Sequence, residues 1–217
     1  MQADLFDTPG REPTGAPRVL RAADFPGGPP LGPGICGIDE AGRGPLAGPV
    51  AAGAALLPAD FPLELLADSK ALSEARREKA YEIIVKRALA WSVAFSSPAE
   101  IDELNILNAS LLAMRRAYLA LEASLGAAPA AVYVDGNRFP DLGRPCWPVI
   151  KGDALLPAVM AASILAKVSR DREMLRYDGL YPGYGYAKHK GYPTAEHKAA
   201  CTRLGPSPIQ RTSFKYY

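Results

Sequence analysis

Carboxylates at the ends of short apolar runs are the residues in this chain best suited to chemistry. Asp39 and Glu40 are adjacent, and Gly42-Arg43-Gly44 follows one residue later. Asp135 closes the run Ala131-Val132-Tyr133-Val134, and Asp153 follows Val149-Ile150-Lys151-Gly152. Carboxylate oxygens are ligands for hard divalent cations. Two such cations can clamp the attacking and leaving oxygens of a phosphodiester. Crowded carboxylates repel, by about 4 kcal/mol for a pair about 4 Å apart at an effective dielectric of about 20. Divalent cations relieve that repulsion, and Mg²⁺ or Mn²⁺ suits an all-oxygen set. The glycines let backbone N–H groups near Gly42 and Gly44 approach a sugar or phosphate. Each acid alone has a plainer reading: a solvated Asp-Glu pair before a hairpin, or an Asp capping a turn. Three separate strand-end acids, Asp39, Asp135 and Asp153, with Glu40 beside the first, favour a shared site.

The elements that must position these groups follow from local signals. Ile35–Ile38 and Val50–Leu57 read as two strands joined by a tight turn. Ser73 reads as the N-cap of a helix to about residue 90, with Ala80, Ile83, Ile84 and Arg87 at helical spacing. Ala90–Phe95 alternates as a strand does. Ser97-Pro98-Ala99-Glu100 is a capping box with proline at the first helical position. The long helix that follows presents Leu104, Leu107, Leu111, Met114, Tyr118, Leu121 and Leu125 as a core stripe, ending at Gly126. Pro157 opens another helix, whose small face of Ala158, Ala161, Ala162 and Ala166 lets it lie close to a sheet. Asp171 is read as a structural acid near the end of that helix.

The 217 residues suit one domain plus a tail. Thirteen of the first 34 residues are Gly or Pro, so residues 1–33 read as a flexible leader and 34–217 as the folded domain. Net charge is only +2, which neither demands nor excludes nucleic acid. From Lys167 onward, however, ten Lys/Arg stand against four Asp/Glu, and seven of the ten tyrosines lie there. Basic and aromatic residues interleaved in this way can pair with phosphates and stack on bases, or form a solvated surface over packed tyrosines. The three cysteines form no C-x-x-C pair, which supports neither a disulfide framework nor a zinc site and fits a reducing cytoplasm. No secretory leader or membrane-spanning run is present, and a monomer is expected.

The stretch Asp39-Glu40-Ala41-Gly42-Arg43-Gly44 closely resembles the opening motif of type 2 ribonucleases H, the bacterial ribonuclease HII family. Asp68-Ser69-Lys70, Val134-Asp135-Gly136, Lys151-Gly152-Asp153, Ala161–Asp171 and Gly191-Tyr192-Pro193-Thr194 match further family motifs in order. Gln210-Arg211-Thr212-Ser213-Phe214 departs from the family's H-R-x-S-F by a Gln for the His. The resemblance spans residues 35–214. It implies a ribonuclease H-like α/β fold: a central mixed five-stranded sheet flanked by helices, with a helical C-terminal extension. It implies a metal-dependent endonuclease acting on RNA–DNA hybrids and on duplex DNA with embedded ribonucleotides, as in ribonucleotide excision repair. Cleavage 5′ of the ribonucleotide would leave 3′-hydroxyl and 5′-phosphate ends. The resemblance assigns two ions, Mn²⁺ or Mg²⁺, to Asp39, Glu40, Asp135 and Asp153. It assigns ribose readout to Gly42, Arg43 and Gly44, a backbone contact to Lys70, and packing on the junction nucleotide to Tyr192. Gln2-Ala3-Asp4-Leu5-Phe6 resembles the peptide by which many bacterial DNA-processing proteins bind the sliding clamp. Intact acids argue against a non-catalytic binding module. The Gly-Arg-Gly and late Gly-Tyr-Pro argue against a resolvase, a transposase or a type 1 ribonuclease H.

Overall fold

The computed structural model describes residues 34–66, 73–144 and 146–214. The leader with Gln2–Phe6 and the segment with Lys70 lie outside the described residues. The strands are β1 (Ile35–Ala41), β2 (Val50–Leu56), β3 (Ala90–Ser96), β4 (Ala131–Asp135) and β5 (Trp147–Val149). They form one sheet in the order β3-β2-β1-β4-β5. β1–β2 and β2–β3 pair antiparallel, while β1–β4 and β4–β5 pair parallel. The expected mixed five-stranded sheet is therefore present.

Helix α1 (Glu74–Arg87) starts where Ser73 accepts the Arg76 amide and stops three residues earlier than expected, where β3 begins. Helix α2 (Pro98–Leu125) carries the expected capping box and ends at Gly126, whose φ of 70° is left-handed. The expected leucine stripe is interrupted. Asn105 (φ 67°, ψ 164°) breaks α2, and its Oδ1 accepts the Leu107 and Asn108 amides as a second N-cap. The phase resets there. The buried face becomes Ile101, then Ala109, Ala113, Met114, Ala117, Tyr118 and Leu121, leaving Leu104 and Leu107 half-buried. Helices α3 (Gly152–Leu155), α4 (Pro157–Leu180), α5 (Tyr186–His189) and α6 (Ala195–Leu204) complete the chain, the last two forming the helical extension. Because α4 runs to Leu180, Asp171 lies in mid-helix, paired with Lys167 at 2.8 Å.

α2 covers one face of the sheet and α1 with α4 the other. The small face of α4 does what its composition implies. A Cβ at Gly37 would stand 2.1 Å from the Ala158 carbonyl carbon, and one at Gly53 2.3 Å from the Ala162 oxygen. Sheet and helix therefore meet backbone to backbone, and Gly53 pairs in register with Asp39. Among the described residues no helix is long and apolar enough to cross a membrane.

Candidate active site

The acids converge from three elements. Asp39 and Glu40 lie near the end of β1, and Asp135 ends the neighbouring parallel strand β4. Asp153 is not at a strand end as expected. β5 stops at Val149, and Lys151 takes a left-handed φ of 59° that turns the chain into α3, with Asp153 in its first turn. That turn brings the Asp153 amide to 3.3 Å from Asp135 Oδ1.

Asp39 is 5% exposed and Asp153 4%. The Glu40 amide donates to Asp39 Oδ1 at 2.7 Å. Burial, then the charges of Glu40 and Asp135, push the Asp39 carboxyl well above the usual carboxylate range, and the Ser163 hydroxyl offsets part of this. Burial also raises Glu40, with Arg43 opposing at 3.3 Å and Asp135 adding to the rise. The cluster thus holds more negative charge than its setting favours. Among the described residues, no three His, Cys, Asp or Glu side chains are already disposed to hold one metal ion.

Beside the acids lies a cleft of about 330 Å³, lined by Glu40, Gly42, Arg77, Ser163, Lys167 and Tyr192 among others. Tyr192 is 40% exposed. A Cβ on Gly44 would meet only its Cε1, at 3.7 Å. Gly42 and Tyr192 therefore line the cleft, with Gly44 next to the Tyr192 ring, while the Arg43 side chain turns to Glu40. Among the described residues the other late tyrosines are less available for stacking: Tyr186 is fully buried, and Tyr177, Tyr181 and Tyr184 pack around it.

The link from β1 to β2 is not the tight turn the sequence suggested but eight residues, 42–49, fixed from the far end of the chain. Arg211, wholly buried, donates from Nε to the Gly48 carbonyl (2.9 Å). Its Nη1 donates to Arg43 (3.0 Å) and Pro45 (2.7 Å), and its Nη2 to Gly42 (2.6 Å) and Pro49 (3.2 Å). Arg170, also wholly buried, donates to the carbonyls of Pro49 (2.9 Å), Ala47 (3.2 Å) and Lys190 (3.0 Å). Burial lowers Arg170 to about 10; burial and then the Arg170 charge lower Arg211 to about 9, so both keep their charge at neutral pH. Gly42 is required here: its φ is 99°, and a Cβ would lie 2.0 Å from Arg170 Nε. Gln210, in place of the motif's His, pairs by a β-bridge with Ala47. Thr212 and Ser213 each donate twice to the Asp102 carboxylate, at 2.6–2.9 Å. Ser163, Arg77, Lys167, Arg170 and Arg211 were not singled out by sequence as functional. Ser163, Lys167, Arg170 and Arg211 lie inside the matched motifs, the one signal that could have marked them.

The family model described as Ribonuclease HII matches residues 36–217. The chain belongs to the ribonuclease HII family. It is 56% identical over 182 residues to the Ribonuclease HII of Laribacter hongkongensis, covering 83% of this chain and 90% of that one. Among solved structures it resembles the ribonuclease H2 of Pyrococcus horikoshii OT3 (28% identity, TM-score 0.66, 84% of this chain and 94% of that one). It also resembles the ribonuclease HII in a PCNA:RNase HII complex from Archaeoglobus fulgidus (26% identity, TM-score 0.67, 83% and 95%). The sheet and flanking helices are thus a ribonuclease H-like fold, and the chain is a metal-dependent endoribonuclease acting on the RNA of RNA–DNA hybrids.

Proposed function

We propose that Asp39, Glu40, Asp135 and Asp153 hold the divalent metal, and that the cleft lets the enzyme cut 5′ of single ribonucleotides embedded in duplex DNA. The products are 3′-hydroxyl and 5′-phosphate ends. The observation that carries this reading is the gathering of the acids: Asp39 and Glu40 near the end of β1, Asp135 at the end of the adjacent strand β4, and the Asp153 amide 3.3 Å from Asp135 Oδ1. A site so overcharged, with oxygen donors only, fits Mg²⁺ or Mn²⁺. Two such ions, when bound, supply a nucleophilic water at neutral pH and charge for the leaving 3′-oxygen.

The protein's own part is placement. The Glu40 amide fixes one Asp39 oxygen, and the Asp153 amide approaches one of Asp135. Asp39, Glu40, Asp135 and Asp153 would hold the ions from three elements, β1, β4 and α3. The 2′-hydroxyl is the one local mark that tells ribose from deoxyribose. Backbone groups of Gly42, Arg43 and Gly44 read it; at Gly44 a Cβ position has only Tyr192 Cε1 near it, at 3.7 Å, so the backbone there is open to approach. Tyr192 packs against the nucleotide at the junction, and Lys70 contacts the strand's phosphates. Residues 34–217 suffice for cleavage, and the chain acts as a monomer.

Asp135→Asn tests the ligand set on a duplex with one ribonucleotide, beside an all-DNA duplex and a four-way junction. It should fold and bind hybrid but lose cleavage by about 10³-fold, the worth of several kcal/mol of metal-ion stabilisation. Retained activity removes Asp135 from the site, and cutting of the junction favours a resolvase. The Archaeoglobus protein forms a complex with PCNA, a sliding clamp. We propose a comparable contact through Gln2–Phe6: deleting residues 2–6 should abolish clamp binding and leave cleavage of free substrate intact.

A further inference from the structure

Tyr192 stands at the cleft on a turn that is held at each backbone group. Its amide donates to the His189 carbonyl at 2.9 Å. Its carbonyl accepts from the Thr194 amide at 2.8 Å and from His197 Nδ1 at 3.0 Å. One residue earlier, the Gly191 amide donates to His189 Nδ1 at 3.1 Å. The Gly191 carbonyl accepts from the Leu46 amide at 2.8 Å, which joins this turn to the glycine loop. The two histidines are the only ones in the chain. Their rings stack 4.5 Å apart at 16°, and Tyr186 packs edge-on against both.

The backbone partners fix the protons. An amide can only donate, so His189 Nδ1 is bare and its proton sits on Nε2, which donates to the Tyr184 carbonyl at 2.8 Å. A carbonyl can only accept, so His197 carries its proton on Nδ1. His197 Nε2 is buried with no hydrogen-bond partner among the described residues. Burial lowers the His197 pKa, in keeping with a neutral ring. An apolar pair would fill this volume as well. Two imidazoles instead direct one nitrogen each to the backbone of Gly191 and Tyr192.

We propose that His189 and His197, as a neutral stacked pair, are positioning residues that set where the Tyr192 ring stands, and through it the enzyme's grip on the junction nucleotide. This rests on the reading of Tyr192 as the nucleotide-packing residue. The pair has no part in the bond-breaking step, so its loss weakens substrate binding and spares turnover.

Asparagine and glutamine separate the two ring nitrogens of His197. The Asn amide lies where Nδ1 was and keeps the bond to Tyr192; the Gln amide lies where Nε2 was and forfeits it. Steady-state kinetics with Mg²⁺ should be run on a duplex with one ribonucleotide, with melting temperatures taken alongside. His197→Gln should raise KM about 5- to 10-fold, the worth of one lost hydrogen bond, with kcat within about twofold. His197→Asn should restore KM to within about twofold of wild type. Tyr192→Ala should raise KM, and adding His197→Gln to it should raise KM no further. If Tyr192→Ala raises KM and His197→Gln does not, the positioning role is overturned and the reading of Tyr192 stands. If Tyr192→Ala leaves KM unchanged, that reading fails first. Equal impairment of the Asn and Gln variants, or a fall in kcat alone, reduces the pair to core packing and overturns the proposal.

Discussion

Alanine at position 53 should disturb catalysis without touching a carboxylate. Gly53 is the cross-strand partner of Asp39 and faces α4. Its added Cβ would lie 2.3 Å from the Ala162 oxygen and 3.1 Å from the Ala166 amide nitrogen. Ordinary contact begins near 3.4 Å, so helix and sheet must separate by about 1 Å; both are backbone, and no side-chain rotation can absorb the overlap. Overpacking of this kind costs about 1–3 kcal/mol. In a protein of this size that lowers Tm by roughly 2–12 °C. The same shift carries Ser163 away from Asp39, and a 1 Å misplacement at a reacting centre can cost about 10²-fold in rate. The assay is urea unfolding together with kcat/KM on a duplex with one ribonucleotide. Gly53→Ala should lose both stability and activity, while binding hybrid within a few-fold of wild type. An unchanged midpoint with activity within twofold would refute the close approach of α4 as the device that sets Asp39.

Gly44→Ala should behave oppositely. Its new methyl meets only Tyr192, at 3.7 Å, so stability should hold within about 0.5 kcal/mol while kcat/KM falls about tenfold or more; unchanged activity removes the ribose from that wall. Arg211→Lys exchanges five planar donors for three on a single atom and strands several buried carbonyls. It should cost about 2–4 kcal/mol in urea unfolding, and a loss under about 0.5 kcal/mol contradicts the loop's anchoring. Burial and neighbouring charges raise Asp39 above its ordinary 3.8, so the folded state holds that proton more tightly than the unfolded chain. Metal-free protein should therefore lose stability as pH climbs from about 4 through the raised value, melting higher near pH 5 than near pH 7.5. Asp39→Asn should flatten that slope, and Mg²⁺ at neutral pH should restore the wild type; equal slopes in the two proteins would refute the strain.

What the sequence made legible is what local chemistry decides. Ser73, the Ser97–Glu100 box and Gly126 mark helix ends because each satisfies orphan backbone groups within one turn. The small face of α4 was readable because alanines at helical spacing have few other uses. Asp153 was misplaced because a three-residue strand and a left-handed lysine leave no apolar pattern to read. Asn105 looked like one more polar residue on a helix, whereas its side chain restarts that helix. Arg170 and Arg211 lay inside matched motifs, but no anchoring role was legible for them, since their partners are carbonyls that every residue carries, 121 to 169 positions away for those in the loop. Among the described residues the tyrosine-rich end likewise mixes one exposed ring, Tyr192, with several that pack inside.

Dependence of the glycine loop on Arg211 bears on how the enzyme comes into being at the ribosome. All four acids, through Asp153, emerge well before the guanidinium that fastens residues 42–49. A nascent chain that had not yet reached Arg211 would carry the four acids without the five hydrogen bonds that seat the loop beside them.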